Sequence, residues 1–206
     1  LSLHDALPIL PSWFVVYVGI VISVITMPLT ADGTIGAISS SVPEEPFSRI
    51  GLVTILLAWG LTAYIFIGGL IFYRLRYIPL KPFEIPTLVI FSAPPALCLS
   101  AYVHTVGLPD LPLLIFLAVS GLFFYICSLV VIIRFWREQK FYPTMASFTF
   151  PLVIFATAAR GTSLALLGPG PYTAGIAAVT TIIAAVVTAG TGVGFVQYMW
   201  RQRKFT

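Results

Sequence analysis

Asparagine is absent from the 206 residues, and charge is scarce: 11 lysines and arginines and 7 aspartates and glutamates make up 9% of the chain. Without asparagine there is no N-glycosylation acceptor. A soluble domain carries about 25% charged residues. The small share here, beside 59% hydrophobic residues and a mean hydropathy of +1.02, excludes a water-soluble globule, a disordered chain and a nucleic-acid-binding domain. The two cysteines, Cys98 and Cys127, lie deep in apolar runs, which argues against a disulfide framework or a metal knuckle. No HExxH, G-x-S-x-G or carboxylate pair lies in those runs, so no enzyme, cofactor or metal is expected. Gly190-Thr191-Gly192-Val193-Gly194 is no nucleotide loop, because no strand precedes it. Gly190 and Gly194, like Gly68-Gly69, read instead as small-residue packing faces.

What is there is apolar sequence in long pieces. About 20 mostly apolar residues cross about 30 Å of hydrocarbon. Six stretches qualify: 12–29, 50–73, 86–105, 113–133, 144–167 and 174–200. They are too long and too uniformly apolar for strands, and no alternating barrel pattern occurs. The expected fold is all-α, an integral membrane protein of six transmembrane helices. Residues 1–9 (LSLHDALPI) read unlike the rest and match one translated frame of a sequencing adapter, so residues 10–206 are taken as the transmembrane domain and His4 and Asp5 carry no weight. Arg201-Gln202-Arg203-Lys204-Phe205-Thr206 reads as a natural basic tail.

The few charges set an orientation. Arg74, Arg76 and Lys81 follow the second stretch, Arg134, Arg137 and Lys140 the fourth, and Arg201, Arg203 and Lys204 the sixth. Asp32, Glu44, Glu45 and Arg49, then Asp110, lie in the alternate connections. The positive-inside rule makes the basic side cytoplasmic, so the C-terminus is expected in the cytoplasm of a multi-pass protein of the cell membrane.

The odd stretches share a pattern. Pro11-Ser12, Pro86-Thr87 and Pro143-Thr144 open them, and eight residues on stand Gly19, Pro94 (followed by Pro95) and Pro151. Proline in the first turn is tolerated because its missing N–H would be unpaired anyway. Inside a helix it bends the axis and frees a carbonyl, which in a bilayer suits a helix lining an interior cavity. The even stretches have no interior proline. Kinked odd helices are therefore expected inside and straight even ones against lipid. Val18, Ala93 and Phe150, each just before a kink residue, are expected at similar depth, with Phe150 the bulky member.

Pro11–Ile20 (PSWFVVYVGI), Pro86–Pro95 (PTLVIFSAPP) with Ser100-Ala101-Tyr102, and Ala146–Leu152 (ASFTFPL) resemble segments of the tellurite-resistance/dicarboxylate transporter family. That family includes bacterial TehA-type anion channels, fungal malate and sulfite transporters and plant slow anion channels. The resemblance covers about residues 10–206. It implies five inner–outer hairpins, ten helices in all, around a central pore, with a separate pore in each subunit of a homotrimer. The six stretches would be the last three hairpins. It also implies that Phe150, which matches a pore-plugging phenylalanine, is the gate.

A neutral pore of kinked helices suits weakly selective anion permeation, since an ion must bind firmly enough to enter and loosely enough to leave. Ser92, Ser147, Thr149 and Thr157 offer hydroxyls near the kinks, either to line the pore or to hydrogen-bond between helices. Arg160, about 24 Å along from Thr144, is the one charge well inside a stretch. It reads as an anion-attracting vestibule or as an arginine snorkelling to the outer headgroups. His104 at the same face, like Trp59 and Trp200, reads as interfacial or structural. The expected function is passive anion transport gated by Phe150, with small inorganic or organic anions and the lipid bilayer as partners. A proton-coupled C4-dicarboxylate (malate) permease or a sulfite exporter is the alternative.

Overall fold

The computed structural model describes residues 13–22, 49–78, 80–105, 111–138 and 141–203. Those residues form no strand. A short helix α1, Trp13–Tyr17, runs through Val18 into a 3-10 turn, Gly19–Val21. Then come α2 (Arg49–Tyr77), a 3-10 segment Ile85–Ser92 continuing as α3 (Ala93–Thr105), α4 (Leu111–Glu138), a 3-10 segment Pro143–Phe148 continuing as α5 (Thr149–Leu167), and α6 (Pro171–Arg203). Among the described residues five helical pieces are long and apolar enough to cross a membrane, and they overlap the second to sixth expected stretches. Of the first stretch only Trp13–Ile22 is described; its remainder, the expected leader at residues 1–9, and Asp32, Glu44, Glu45, Asp110, Lys140 and Lys204 lie outside the described residues.

The two kinds of helix differ as their prolines suggest, though not in the expected way. α2, α4 and α6 are unbroken α-helices of 29, 28 and 33 residues. Proline enters them only near the start, at Pro112 and Pro171, where no donor is lost. All three carry arginine in the last turn, which complements the negative end of the helix dipole. The third and fifth stretches instead begin as 3-10 helix for eight and six residues, longer than such runs usually persist. Each becomes α just ahead of its proline. Pro94 and Pro95 therefore occupy the first turn of α3, and Pro151 the first turn of α5, at the junctions where the helix type changes. The expected mid-helix bends take the form of a change of helix type.

Hydroxyl groups hold the two 3-10 segments together. Thr144 Oγ1 donates to the Phe83 carbonyl (2.6 Å) and Ser147 Oγ to the Pro86 carbonyl (2.9 Å). With three residues per turn, Thr144 and Ser147 lie one above the other, and so do their two acceptors. Pro86 has no N–H to give the Phe83 carbonyl in the i→i+3 pattern, so Thr144 supplies the donor that proline removed. Thr144→Val with Ser147→Ala should weaken this pairing by about 0.6 kcal/mol per bond, read as a lower melting midpoint in detergent, with the single changes adding to the double.

The third stretch is the centre of the bundle. Over an 18-residue window of it 83% of residues are buried, against 17% over the same length of α6. α2 packs on α1 and α3, α4 on α3 and its 3-10 lead, and α5 lies between α3 and α6. An aromatic column ties these layers: Phe14 meets Phe91 edge-on at 5.2 Å, and Phe91 stacks on Phe124 at 5.7 Å with Phe72 alongside. The turn from α5 to α6 is Gly168-Pro169-Gly170-Pro171. Gly168 sits at φ 70, where a side chain would be strained, and its N–H bonds the Leu164 carbonyl at 3.0 Å, closing α5. So short a connection makes α5 and α6 antiparallel neighbours.

The small-residue faces pack on rings. A Cβ on Gly190 would stand 3.1 Å from the Trp136 indole and one on Gly194 2.7 Å from the Phe141 ring, while Gly68 faces the tip of Phe14.

Candidate pore cavity

A cavity of about 110 Å³ lies where α1 with its 3-10 turn, the 3-10/α3 junction and the start of α5 meet. Gly19, Ala93, Pro94 and Phe150 line it, so each of the three repeat copies contributes a residue at or beside its turn. Every lining side chain is apolar. Phe150 is 37% exposed, held by the backbone of α5 but not enclosed by its neighbours, and a Cβ built on Gly19 would meet nothing within 4 Å. The site thus combines a partly exposed ring with a second lining position that carries no side chain.

Phe14, Val15, Ile22, Ile90 and Leu97 complete the wall and were not singled out from sequence. Their signal was present. Ile90, Ala93, Pro94 and Leu97 follow the i, i+3, i+4, i+7 spacing of one helix face, as Val15, Gly19 and Ile22 do. Either series could have been extended from the residue beside its turn. Phe14 carries no such cue beyond its size; it is 1% exposed and forms the rear wall, backed by Tyr64 and Phe91.

The remaining expected residues sit elsewhere. Val18 is fully buried in the core behind the cavity, and Pro151 is buried on α5 without lining it. Ser92 Oγ donates to the Val89 carbonyl (3.0 Å), which also receives Ser128 from α4 (3.3 Å). Ser147 bonds the Pro86 carbonyl, Thr149 the Ala146 carbonyl (3.0 Å) and Thr157 the Val153 carbonyl (3.2 Å). All four hydroxyls therefore bind backbone, and none belongs to the cavity wall. Arg160 is exposed, ten residues beyond Phe150 on α5, or about 15 Å along the axis. His104 Nδ1 lies 3.0 Å from the Ser100 carbonyl, and Trp59 Nε1 donates to the Tyr17 carbonyl (3.1 Å), fastening α2 to α1. Trp200 is exposed near the end of α6.

Among the described residues, five apolar helices of membrane-spanning length define a multi-pass integral membrane protein, and two of them meet the first stretch around a neutral cavity. The voltage-dependent anion channel family model (SLAC1) matches residues 2–196, a match that begins within residues 1–9. The chain belongs to this family, which is the tellurite-resistance/dicarboxylate transporter family. No curated protein and no solved structure matches it.

Proposed function

We propose that the protein lets small inorganic or organic anions pass the cell membrane passively, through a pore whose constriction is the cavity described above and whose gate is Phe150. One observation carries this reading: Gly19, Ala93, Pro94 and Phe150, brought from three separate stretches, line a single neutral cavity. A narrow apolar constriction stops ions by dewetting until a side chain moves, and it holds no fixed cation that would trap an anion once inside. In this reading the six stretches act as three inner–outer hairpins of a ten-helix pore within a homotrimer. The greater burial of the third stretch and the packing of each unbroken helix on a broken one support that layout. The arginines closing α2, α4 and α6 support a cytoplasmic C-terminus. Exposed Arg160, beyond the gate, serves as an anion-attracting vestibule.

The full chain reconstituted in liposomes tests the proposal. Chloride or malate efflux is expected to follow the anion gradient and the membrane potential and to be indifferent to a pH gradient. Efflux that stops when the pH gradient is collapsed would overturn the passive reading in favour of a proton-coupled dicarboxylate carrier.

A further inference from the structure

Away from the pore, at the basic end of the bundle, a cavity of about 320 Å³ opens between α4, α6 and the segment that leads into α5. One wall is a single face of α6: Gly190, Thr191, Gly194, Gln197 and Arg201 recur at helical spacing, so the wall runs from small residues through an amide to a cation. The facing wall is aromatic, made by Trp136 of α4 and Phe141. Glycine at 190 and 194 lets those rings pack directly on α6, because a side chain at either position would press against them.

Thr191 is the second, independent sign of a ligand. Three helical threonines elsewhere return their hydroxyls to the carbonyl four residues back: Thr62 to Ala58, Thr157 to Val153 and Thr180 to Ile176. Thr191, like Thr162 of α5, does not, and of these two only Thr191 stands in a cavity that also holds a cationic side chain. Thr191 is 6% exposed, lines the cavity, and its Oγ1 has no hydrogen-bond partner among the described residues. A buried hydroxyl left without a partner is costly, and such a group calls for an occupant. Arg201 likewise forms no ion pair among the described residues, whereas Arg134 at the same end is paired with Glu138 at 3.2 Å.

We propose that this cavity binds the phosphate-bearing headgroup of an anionic phospholipid, with Arg201 on the phosphate, Thr191 and Gln197 as hydrogen-bonding groups, and Trp136 against the glycerol and upper acyl region. The lipid source follows from position. α4 and α6 present apolar residues outward right up to the cavity, including Ile133, Val193 and Val196, so its mouth is continuous with the lipid-facing surface. Basic pockets between membrane helices at the cytoplasmic headgroup level are suited to anionic lipids. The site owes nothing to Phe150 or to passive conduction, and it stands or falls separately.

The test uses the full chain in phosphatidylcholine vesicles carrying a minor fraction of phosphatidylglycerol with brominated tails, reading the tryptophan quenching that is lost in Trp136→Phe. Brominated phosphatidylglycerol should quench at lower mole fraction than brominated phosphatidylcholine. Arg201→Gln should reduce that preference about fivefold, the weight of one basic side chain at an anionic surface. Thr191→Val should reduce it about threefold. Arg137→Gln, which removes an exposed charge of the same end outside the cavity, should leave it unchanged. Equal losses from Arg137→Gln and Arg201→Gln would mean diffuse surface charge and overturn the site, as would no preference or no effect of Arg201→Gln and Thr191→Val. Reversal of the quenching by millimolar inorganic phosphate would assign the cavity to a soluble anion and overturn the lipid.

Discussion

Phe150→Ala is expected to raise anion conductance about tenfold, which corresponds to removing about 1.4 kcal/mol from the barrier to passage. The ring is the one side chain that the fifth stretch contributes to the cavity, and Gly19, which lines the same cavity, contributes none. Its 37% exposure means that truncation leaves a wider opening rather than a sealed hole, so the loss of stability should fall below the roughly 3–5 kcal/mol of a fully buried phenylalanine. A refill separates gating from packing. A Cβ at Gly19 meets nothing within 4 Å, so Gly19→Leu can project into the space that Phe150→Ala vacates. The double variant should conduct less than Phe150→Ala alone, measured as unitary current or as tracer efflux from liposomes. Unchanged current in Phe150→Ala would make this residue a packing aromatic and remove the gate from the proposal.

The same cavity shows where sequence reading succeeds and where it stops. The unbroken helices were legible because span length and the spacing of prolines are local properties, and their arginine ends follow from the charge clusters alone. The shared Pro-Ser/Thr openings and the eight-residue offset drew attention to Gly19, Pro94 and Phe150, which line one cavity. The helix type between those markers was not legible. An α-helix and a 3-10 helix differ by one residue in the carbonyl each N–H chooses, a small difference that distant contacts decide. Here the contacts are Thr144 and Ser147 reaching the Phe83 and Pro86 carbonyls, 61 residues away in each case.

That change of helix type also explains Val18. In the third and fifth stretches the 3-10 segment precedes the α-helix, whereas in the first the α turn Trp13–Tyr17 precedes the 3-10 turn Gly19–Val21. A 3-10 helix advances about 120° per residue and an α-helix about 100°. Reversing their order rotates the residue ahead of the turn, so Val18 faces the core while Ala93 and Phe150 face the cavity. The hydroxyls are engaged by backbone instead of the cavity. Ser92, Thr149 and Thr157 find a carbonyl three or four residues back and Ser147 finds the Pro86 carbonyl, so none of the four hydroxyls faces this cavity.

Gly60→Ala is expected to be among the most damaging single changes, although nothing about Gly60 stands out in the sequence. A Cβ there would lie inside the Val21 side chain, with Cys98 Sγ at 3.5 Å on the other side. Val21 cannot yield cheaply: it is fully buried and β-branched, and its N–H is tied to the Val18 carbonyl at 3.0 Å. Overpacking of this kind costs about 1–3 kcal/mol. The strain falls on the Gly19–Val21 turn, one wall of the cavity, so anion efflux should change together with the melting midpoint. Val21→Ala supplies the decisive comparison. Alone it removes buried methyl groups and destabilises; combined with Gly60→Ala it removes the collision. The double variant should therefore be more stable than the sum of the two single losses predicts, with a coupling of about 0.5–3 kcal/mol typical of residues in contact. Additive losses in thermal unfolding would show that α2 does not approach the first stretch this closely. A coupled loss with unaltered efflux would separate the Gly19–Val21 turn from the conduction path.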